Sequence, residues 1–351
     1  MRIYSLDYLR GLAAVGIMVY HYLSWTLGKY QADTIMGRIG IYGVSIFYVL
    51  SGLTLFHVYH NKMSPTKIDV LSFFKKRIFR IYPLLWLVTI VSILLSAKTP
   101  DFRDLFLNLT GLFGFIKWDT YFAGGVWSIG NELVFYVLFP FFILFSKSYK
   151  FLMILLSLLL LSSFLYFAFI KLDPKNTLDF QKRDYQNPLN QAFLFLGGYL
   201  IGIFTHKTKI GNVICLLILF FSFILFVFYP ASGNTIILVT GTNRLVFTLF
   251  SFLICFGFYK LSIKPSGIIH KLLKFLGEIS YSIYLLHFIL YKISGMFLKT
   301  LNFEYGLYYT ETIRLIVSFI LTLIASYFVY EYYEKYFIQK AHQKLVQRSE
   351  H

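Results

Sequence analysis

Charge is scarce in this sequence. Only 14% of its 351 residues are Asp, Glu, Lys or Arg, against about 25% in soluble globular domains, and this excludes an ordinary water-soluble domain. Cysteine is scarcer still. Cys215 and Cys255 are the two in the chain, both inside apolar stretches, so a disulfide framework is excluded and buried reduced thiols are expected. There is no Gly-rich phosphate loop, no His/Cys set at metal-ligand spacing and no G-x-S-x-G elbow, which removes the chemistry those motifs carry. No internal repeat or low-complexity tract stands out, so the inverted-repeat sign of many transporters is missing.

What is abundant is apolar surface. The sequence is 58% hydrophobic and 21% aromatic, with 28 Tyr and 40 Phe, and its mean hydropathy is +0.67. Apolar segments recur near 8–27, 38–58, 79–97, 127–146, 151–171, 190–205, 211–229, 245–260, 276–298 and 312–333. Most are long enough to cross a bilayer as helices. They predict an all-α polytopic membrane protein of about ten transmembrane helices. A run at 105–116 is too short to cross and reads as an interfacial or re-entrant piece. The first segment, about twenty residues long, carries Arg10 and His21 and has no A-x-A-like cleavage site. It is expected to be retained rather than removed as a signal peptide. Residues 1–337 are expected to form one membrane domain, with 338–351 a short basic cytoplasmic tail.

Orientation follows from the basic residues. With both termini cytoplasmic, more than half of the 33 Lys and Arg fall in segments expected inside, among them Lys75, Lys76, Arg77, Arg80, Lys271 and Lys274. Asp101, Asp104, Asp173, Asp179 and Asp184 fall outside. The +17 net charge therefore needs no nucleic-acid partner; positive-inside bias and anionic lipid account for it.

A few polar groups sit where the hydropathy pattern does not want them. Arg10 and His21 stand eleven residues apart, which returns them to nearly the same helix face about 16 Å apart along the axis. An ionisable group inside a spanning helix costs about 2.5–3.5 kcal/mol on insertion scales and marks a functional site by default. Alone, Arg10 fits a cation snorkelling to the interface, and His21 fits a structural histidine. Together on one face behind Asp7, they point to a site. Glu132, in Trp127-Ser128-Ile129-Gly130-Asn131-Glu132, must be hydrogen-bonded, paired or protonated. The topology puts it in the outer half of the bilayer with His21, where the two could form a general-base pair or a structural hydrogen bond.

Arg77 and Arg80, in Arg77-Ile78-Phe79-Arg80-Ile81-Tyr82-Pro83, share a face at the expected cytoplasmic mouth of the third segment. Two forked guanidiniums suit phosphate, although a topology-setting cluster would also be basic. Ser51-Gly52 reads as close helix packing. Ser280, Tyr284 and His287 share a face of the ninth segment and read as packing hydrogen bonds before catalysis.

These stretches together resemble the membrane acyltransferase-3 family. The resemblance starts at Leu6-Asp7-Tyr8-Leu9-Arg10-Gly11-Leu12-Ala13-Ala14 with His21, since an Arg, ten residues and a His is the family hallmark. It continues through Phe47-Tyr48-Val49-Leu50-Ser51-Gly52, Arg77 and Arg80 before Ile81-Tyr82-Pro83, and Trp127-Ser128 to Glu132 with Phe135-Tyr136 and Pro140. It recurs in Gly277-Glu278-Ile279-Ser280-Tyr281-Ser282-Ile283-Tyr284-Leu285-Leu286-His287 and in Ser326-Tyr327 with Glu331. The family's Pro two residues after that Glu is Tyr333 here, which weakens any role for Glu331.

The resemblance implies an O-acyltransferase in the bacterial inner membrane. Acetyl-CoA or a related acyl-CoA would be the donor, held by Arg77 and Arg80, with no metal. A hydroxyl of a surface or lipid-linked glycan would be the acceptor. His21 would be base or acyl relay, Glu132 would orient it, Arg10 would line the route, and glycan-synthesis proteins are implied as partners. Two other classes stay open on the sequence. A flippase or exporter of lipid-linked glycan precursors would use the buried charges as a translocation path. A structural partner in a synthase complex would leave His21 unexplained.

The orientation makes a direct prediction. A Cys placed at Lys67 should resist a membrane-impermeant maleimide applied from outside, and one at Asp179 should react. Labelling at 67, or none at 179, would invert or break the topology.

Overall fold

A computed structural model describes residues 2–97, 99–300 and 306–346; positions 347–351 of the expected tail lie outside the described residues. Among the described residues there are helices and no strand. In chain order they are α1 (Tyr4–Leu27), α2 (Ile35–Tyr59), α3 (Lys67–Ser96), α4 (Phe102–Thr110), α5 (Phe113–Ile116), α6 (Trp127–Ser148) and α7 (Lys150–Tyr166). There follow α8 (Lys182–Tyr185), α9 (Pro188–Thr205), α10 (Asn212–Phe228), α11 (Gly241–Lys260), α12 (Gly267–Glu278), α13 (Ser280–Thr300), α14 (Gly306–Phe328) and α15 (Lys335–Val346). A π-helical stretch, Val329–Glu334, joins the last two.

The chain is an all-α polytopic membrane protein. Eight of the described helical segments are long and apolar enough to cross a membrane. The other two expected segments are helices as well. One is α1, whose first turns carry Asp7 and Arg10; the other is α10, whose 17 residues span about 26 Å, short of the roughly 30 Å hydrocarbon core.

Local signals set the ends. Thr34 Oγ1 accepts from the Gly37 amide at 3.0 Å to start α2, and Thr66 Oγ1 accepts from Asp69 at 3.3 Å to start α3. Asn187 caps α9 ahead of Pro188 at its first position, and α1 stops at Gly28, whose φ is +103°. Because of the Thr66 cap, α3 starts twelve residues before the expected boundary at 79. Its first turns are polar and escape a hydropathy window. Near 276 the chain also differs from expectation: α12 ends at Glu278 and a separate helix opens at Ser280. The 105–116 run is covered by α4 and α5, turned at Gly111 with φ +73°, and neither can cross.

The helices group into two compact units. The first holds Met1–Ser24, Gly28–Lys62 and Phe145–Glu278. Its tightest pair is α2 with α9, where a side chain at Gly52 would strike the Phe195 carbonyl and one at Gly198 the Val49 carbonyl. The backbones therefore touch, as the Ser51-Gly52 step suggested. In this unit α10 packs on α11, and both Cys215 and Cys255 are buried free thiols. Arg38, 2% exposed, donates to the Phe226, Val227 and Tyr229 carbonyls at 2.5–2.7 Å and to Ala32 at 2.9 Å. It thereby supplies a cation at the carboxyl end of α10.

The second unit holds Trp25–Leu27, Met63–Leu144 and Ile279–His351. Here α13 packs on α14 and α3 packs on both α13 and α15. On α5, Gly114 lies against Gly130 of α6 so closely that a methyl would meet backbone.

The glycine contacts give a stability test. Gly52→Val or Gly198→Val should lower the thermal stability of the detergent-solubilised protein. Forced overpacking costs about 1–3 kcal/mol, and backbone is the neighbour that would have to move. Unchanged melting would mean that α2 and α9 do not touch at these positions.

Candidate functional site

In the first unit, α1 is unbroken from Tyr4 to Leu27, so Arg10 and His21 stand on one continuous helix about 16 Å apart along its axis. Arg10 is tied at both ends of its fork. Nη1 donates to Asp7 Oδ1 at 3.0 Å and Nη2 to Thr54 Oγ1 of α2 at 3.0 Å. Asp7 also accepts from Arg2 Nε at 2.6 Å, and Arg2 Nη1 reaches Glu278 Oε1 at 3.0 Å. Partial burial disfavours the Arg2 cation, but its bonds to the Asp7 and Glu278 carboxylates outweigh this and raise its pKa. The result is a line of alternating charges from α1 to the end of α12. Tyr8 extends it by sharing a 2.5 Å hydrogen bond with His270 Nδ1. Gly11 lets α1 approach the α12 backbone at Leu276 and Gly277. Arg10 is thus held between two helices, a different state from a cation reaching freely for an interface. His21 is half-buried, its ring 4.9 Å from that of Tyr20.

Glu132, Arg77 and Arg80 belong to the second unit. Glu132, half-buried near the start of α6, accepts a short hydrogen bond from Tyr136 Oη one turn on. The Arg77 guanidinium lies 5.8 Å from the Tyr136 ring centre and 5.9 Å from that of Phe73. Arg77 and Arg80 stand three apart on α3. The expected topology put the arginine pair at the inner mouth and Glu132 in the outer half. In the folded unit Tyr136 stands between Glu132 and Arg77, because α3 begins at Lys67 and carries Arg77 ten residues, about 15 Å, into the helix.

Two carboxylates, Glu331 and Glu334, sit in the π-helical stretch. Glu331, singled out by the family pattern, is bound by Lys335 Nζ at 2.6 and 2.9 Å. Glu334, which sequence reasoning passed over, is the buried one, 4% exposed, and it accepts a short hydrogen bond from Ser282 Oγ of α13. Its sequence signal is a third acid in a tyrosine-rich helix, Tyr332-Tyr333-Glu334. The π-helical stretch changes the facing of this segment, and ordinary helical spacing does not anticipate that.

Tyr284 and His287 make the expected packing hydrogen bonds. The Tyr284 hydroxyl meets Ser128 Oγ at 2.7 Å and the Gly125 carbonyl at 3.1 Å. His287, fully buried, meets the Ile283 carbonyl at 3.1 Å through Nδ1 and stacks at 6.4 Å on Trp25. Among the described residues no group of three His, Cys, Asp or Glu is arranged to hold a metal ion.

The chemistry these groups can do is that of proton handling and anion binding by a few side chains in an apolar surrounding. Comparison with known proteins gives that chemistry its class. A protein of Acidianus two-tailed virus named "Putative acetyltransferase ORF330" is 27% identical over 293 residues, which is 82% of this chain and 83% of that protein. No solved structure matches. The acyltransferase-3 family, described as an acyltransferase domain, matches residues 3–331. That span takes in Arg10, His21, Arg77, Arg80 and Glu132, and the chain belongs to this family as a multi-pass membrane acyltransferase.

Proposed function

We propose that this acyltransferase moves an acyl group, acetyl in the simplest case, from cytoplasmic acyl-CoA to a hydroxyl of a surface or lipid-linked glycan, in the inner membrane of a bacterium. The observation that carries the reading is the unbroken α1, which holds Arg10 and His21 eleven residues apart on one helix in a chain of an acyltransferase family. In the simplest form of the reaction, His21 takes the proton of the acceptor hydroxyl as that oxygen attacks the thioester carbonyl. The C–S bond breaks, the acyl group stays on the acceptor oxygen, and CoA leaves as the thiolate and takes up a proton. In the relay form, His21 carries the acyl group between the two. A thioester is already activated, so proton removal and positioning suffice. Proton transfer by a placed side chain contributes about 10²–10⁴-fold.

The other residues take supporting roles. Arg77 and Arg80 hold the phosphates of the donor, for which their spacing on α3 and their half-buried setting are suited. Glu132 is the carboxylate that supports the base. Arg10, held by Asp7 and Thr54, lines the route of the acyl group.

His21→Ala is expected to abolish acetyl transfer in membranes while leaving protein that elutes normally in detergent chromatography. Glu132→Gln should lower the rate by about 10²-fold or more, and the double variant should be little worse than His21→Ala, since groups acting as one unit are non-additive. An active His21→Ala protein would remove the mechanism and favour an exporter.

Replacing Arg77 and Arg80 singly by Lys keeps the charge and loses the fork. Weaker binding of acetyl-CoA, with membrane insertion intact, is expected from each. Normal binding by both would reduce the pair to a topology signal.

A further inference from the structure

Between two helices long and apolar enough to cross a membrane stands one that is not. The first of the two, α11, ends at Lys260, and the second, α13, opens at Ser280. The 12 residues of α12 cover about 18 Å, well under the roughly 30 Å of hydrocarbon. Six residues link α12 to α11 and one links it to α13. With the ends of two spanning helices so near, α12 is held at the level of the membrane surface.

The helical period sorts its side chains. His270 and Gly277 share the side packed on α1, where a side chain at 277 would strike the Asp7 carbonyl and His270 Nδ1 shares its hydrogen bond with Tyr8. Ile268, Ile269 and Leu272 project from the other side, over an arc of about 100°, and are 82%, 52% and 55% exposed. Lys271 is exposed at the edge of that arc, and exposed Lys264 just precedes the helix, 5.5 Å from the Tyr4 ring centre. Lys274, by contrast, lies 3.9 Å from Glu278. Bare aliphatic side chains on a spanning helix are covered by hydrocarbon. Here a lysine stands between them in sequence, which fixes the depth: the ammonium stays at the phosphates while the aliphatic arc dips below them.

We propose that α12 is seated on an anionic phospholipid leaflet, with Ile268, Ile269 and Leu272 in the headgroup–acyl boundary and Lys264 and Lys271 on the lipid phosphates. Lys271 falls on the side expected to face the cytoplasm, where leaflets carry anionic lipid. The seat reaches further than α12, because the helix is bonded into the start of α1. Glu278 holds Arg2, Arg2 holds Asp7, and Asp7 holds Arg10. Lipid that fixes α12 thereby steadies the first turns of α1.

The test uses the full-length chain in nanodiscs of equal parts phosphatidylcholine and phosphatidylglycerol, with a bimane label on Leu272→Cys. The unsubstituted chain, whose Cys215 and Cys255 are buried, is the blank. Bromine on the lipid acyl chains should quench the label, and aqueous iodide should not. With one lipid of the pair brominated at a time, phosphatidylglycerol should quench more, by a local preference of about fivefold per lysine. Adding Lys264→Gln and Lys271→Gln to the labelled chain should remove most of that preference, as should high salt. Hydrogen exchange of the wild-type chain over residues 4–11 should be slower in the mixture than in phosphatidylcholine alone, and the lysine variant should lose this difference.

Quenching by iodide and not by bromine would put Leu272 in water and overturn the seat. A label shielded from both would mean that protein, such as a second copy of the chain, covers the arc, and would overturn it equally. Equal quenching by the two brominated lipids would overturn the role of the lysines, and with it the anionic leaflet as partner. Unchanged exchange over residues 4–11 would overturn the link to α1. Should Leu272→Cys not yield folded protein, Ile268→Cys carries the label on the same arc with the same expectations. Failure of both to fold would assign the arc to packing within the chain and end the proposal.

Discussion

A charge placed in an apolar helical protein has to be compensated inside the chain, because hydrocarbon offers it no partner. Arg38 meets this requirement without an acid. Its guanidinium takes the unsatisfied carbonyls at the end of α10, so one side chain satisfies a buried cation and a helix terminus together. Buried Arg244 donates to the Asn190 carbonyl at 2.7 Å and lies 4.2 Å from the Phe164 ring centre. Arg10 divides its fork between Asp7 and Thr54. In each case the compensation ties one helix to another: α2 to α10, α11 to α9, α1 to α2. Polar side chains that look like interruptions of an apolar sequence therefore act as cross-links within the first unit.

In the second unit the same requirement gathers groups suited to chemistry. Tyr136 stands between the Glu132 carboxylate, to which it donates, and the Arg77 guanidinium, which lies near its ring. Tyr281 donates to the Ile81 carbonyl of α3, and buried Glu334 accepts from Ser282. Opposite charges spread over three elements stay in an apolar setting because aromatic hydroxyls and rings separate and solvate them. The high tyrosine content thus has a use beyond interfacial belts.

Much of the molecule was legible in the sequence. Apolar length announced the helices, and the ten expected segments all coincide with helical elements. The Ser51-Gly52 step announced a close backbone contact, which α2 and α9 make. The family could be recognised from Arg10, His21, Arg77, Arg80 and Glu132, since the order and spacing of such residues is a property of the chain alone. Boundaries at polar ends were less legible. The Thr66 cap starts α3 well before its apolar part, and α12, more polar along one side, becomes a helix of its own.

What the sequence determined by itself is what depends on neighbours in the chain: helix content, membrane class, and the identity of the groups able to react. Only the tertiary structure decided which of those groups meet. It joined Glu132 to Arg77 through Tyr136 although hydropathy put them at different depths, and it bound Glu331 to a lysine one turn away. It buried Glu334 against Ser282, 52 residues earlier. Helical period and apolarity are short-range and can be read along the chain. The partner of a buried charge is chosen by the packing of helices far apart in sequence, where desolvation makes each unpaired alternative too costly to persist.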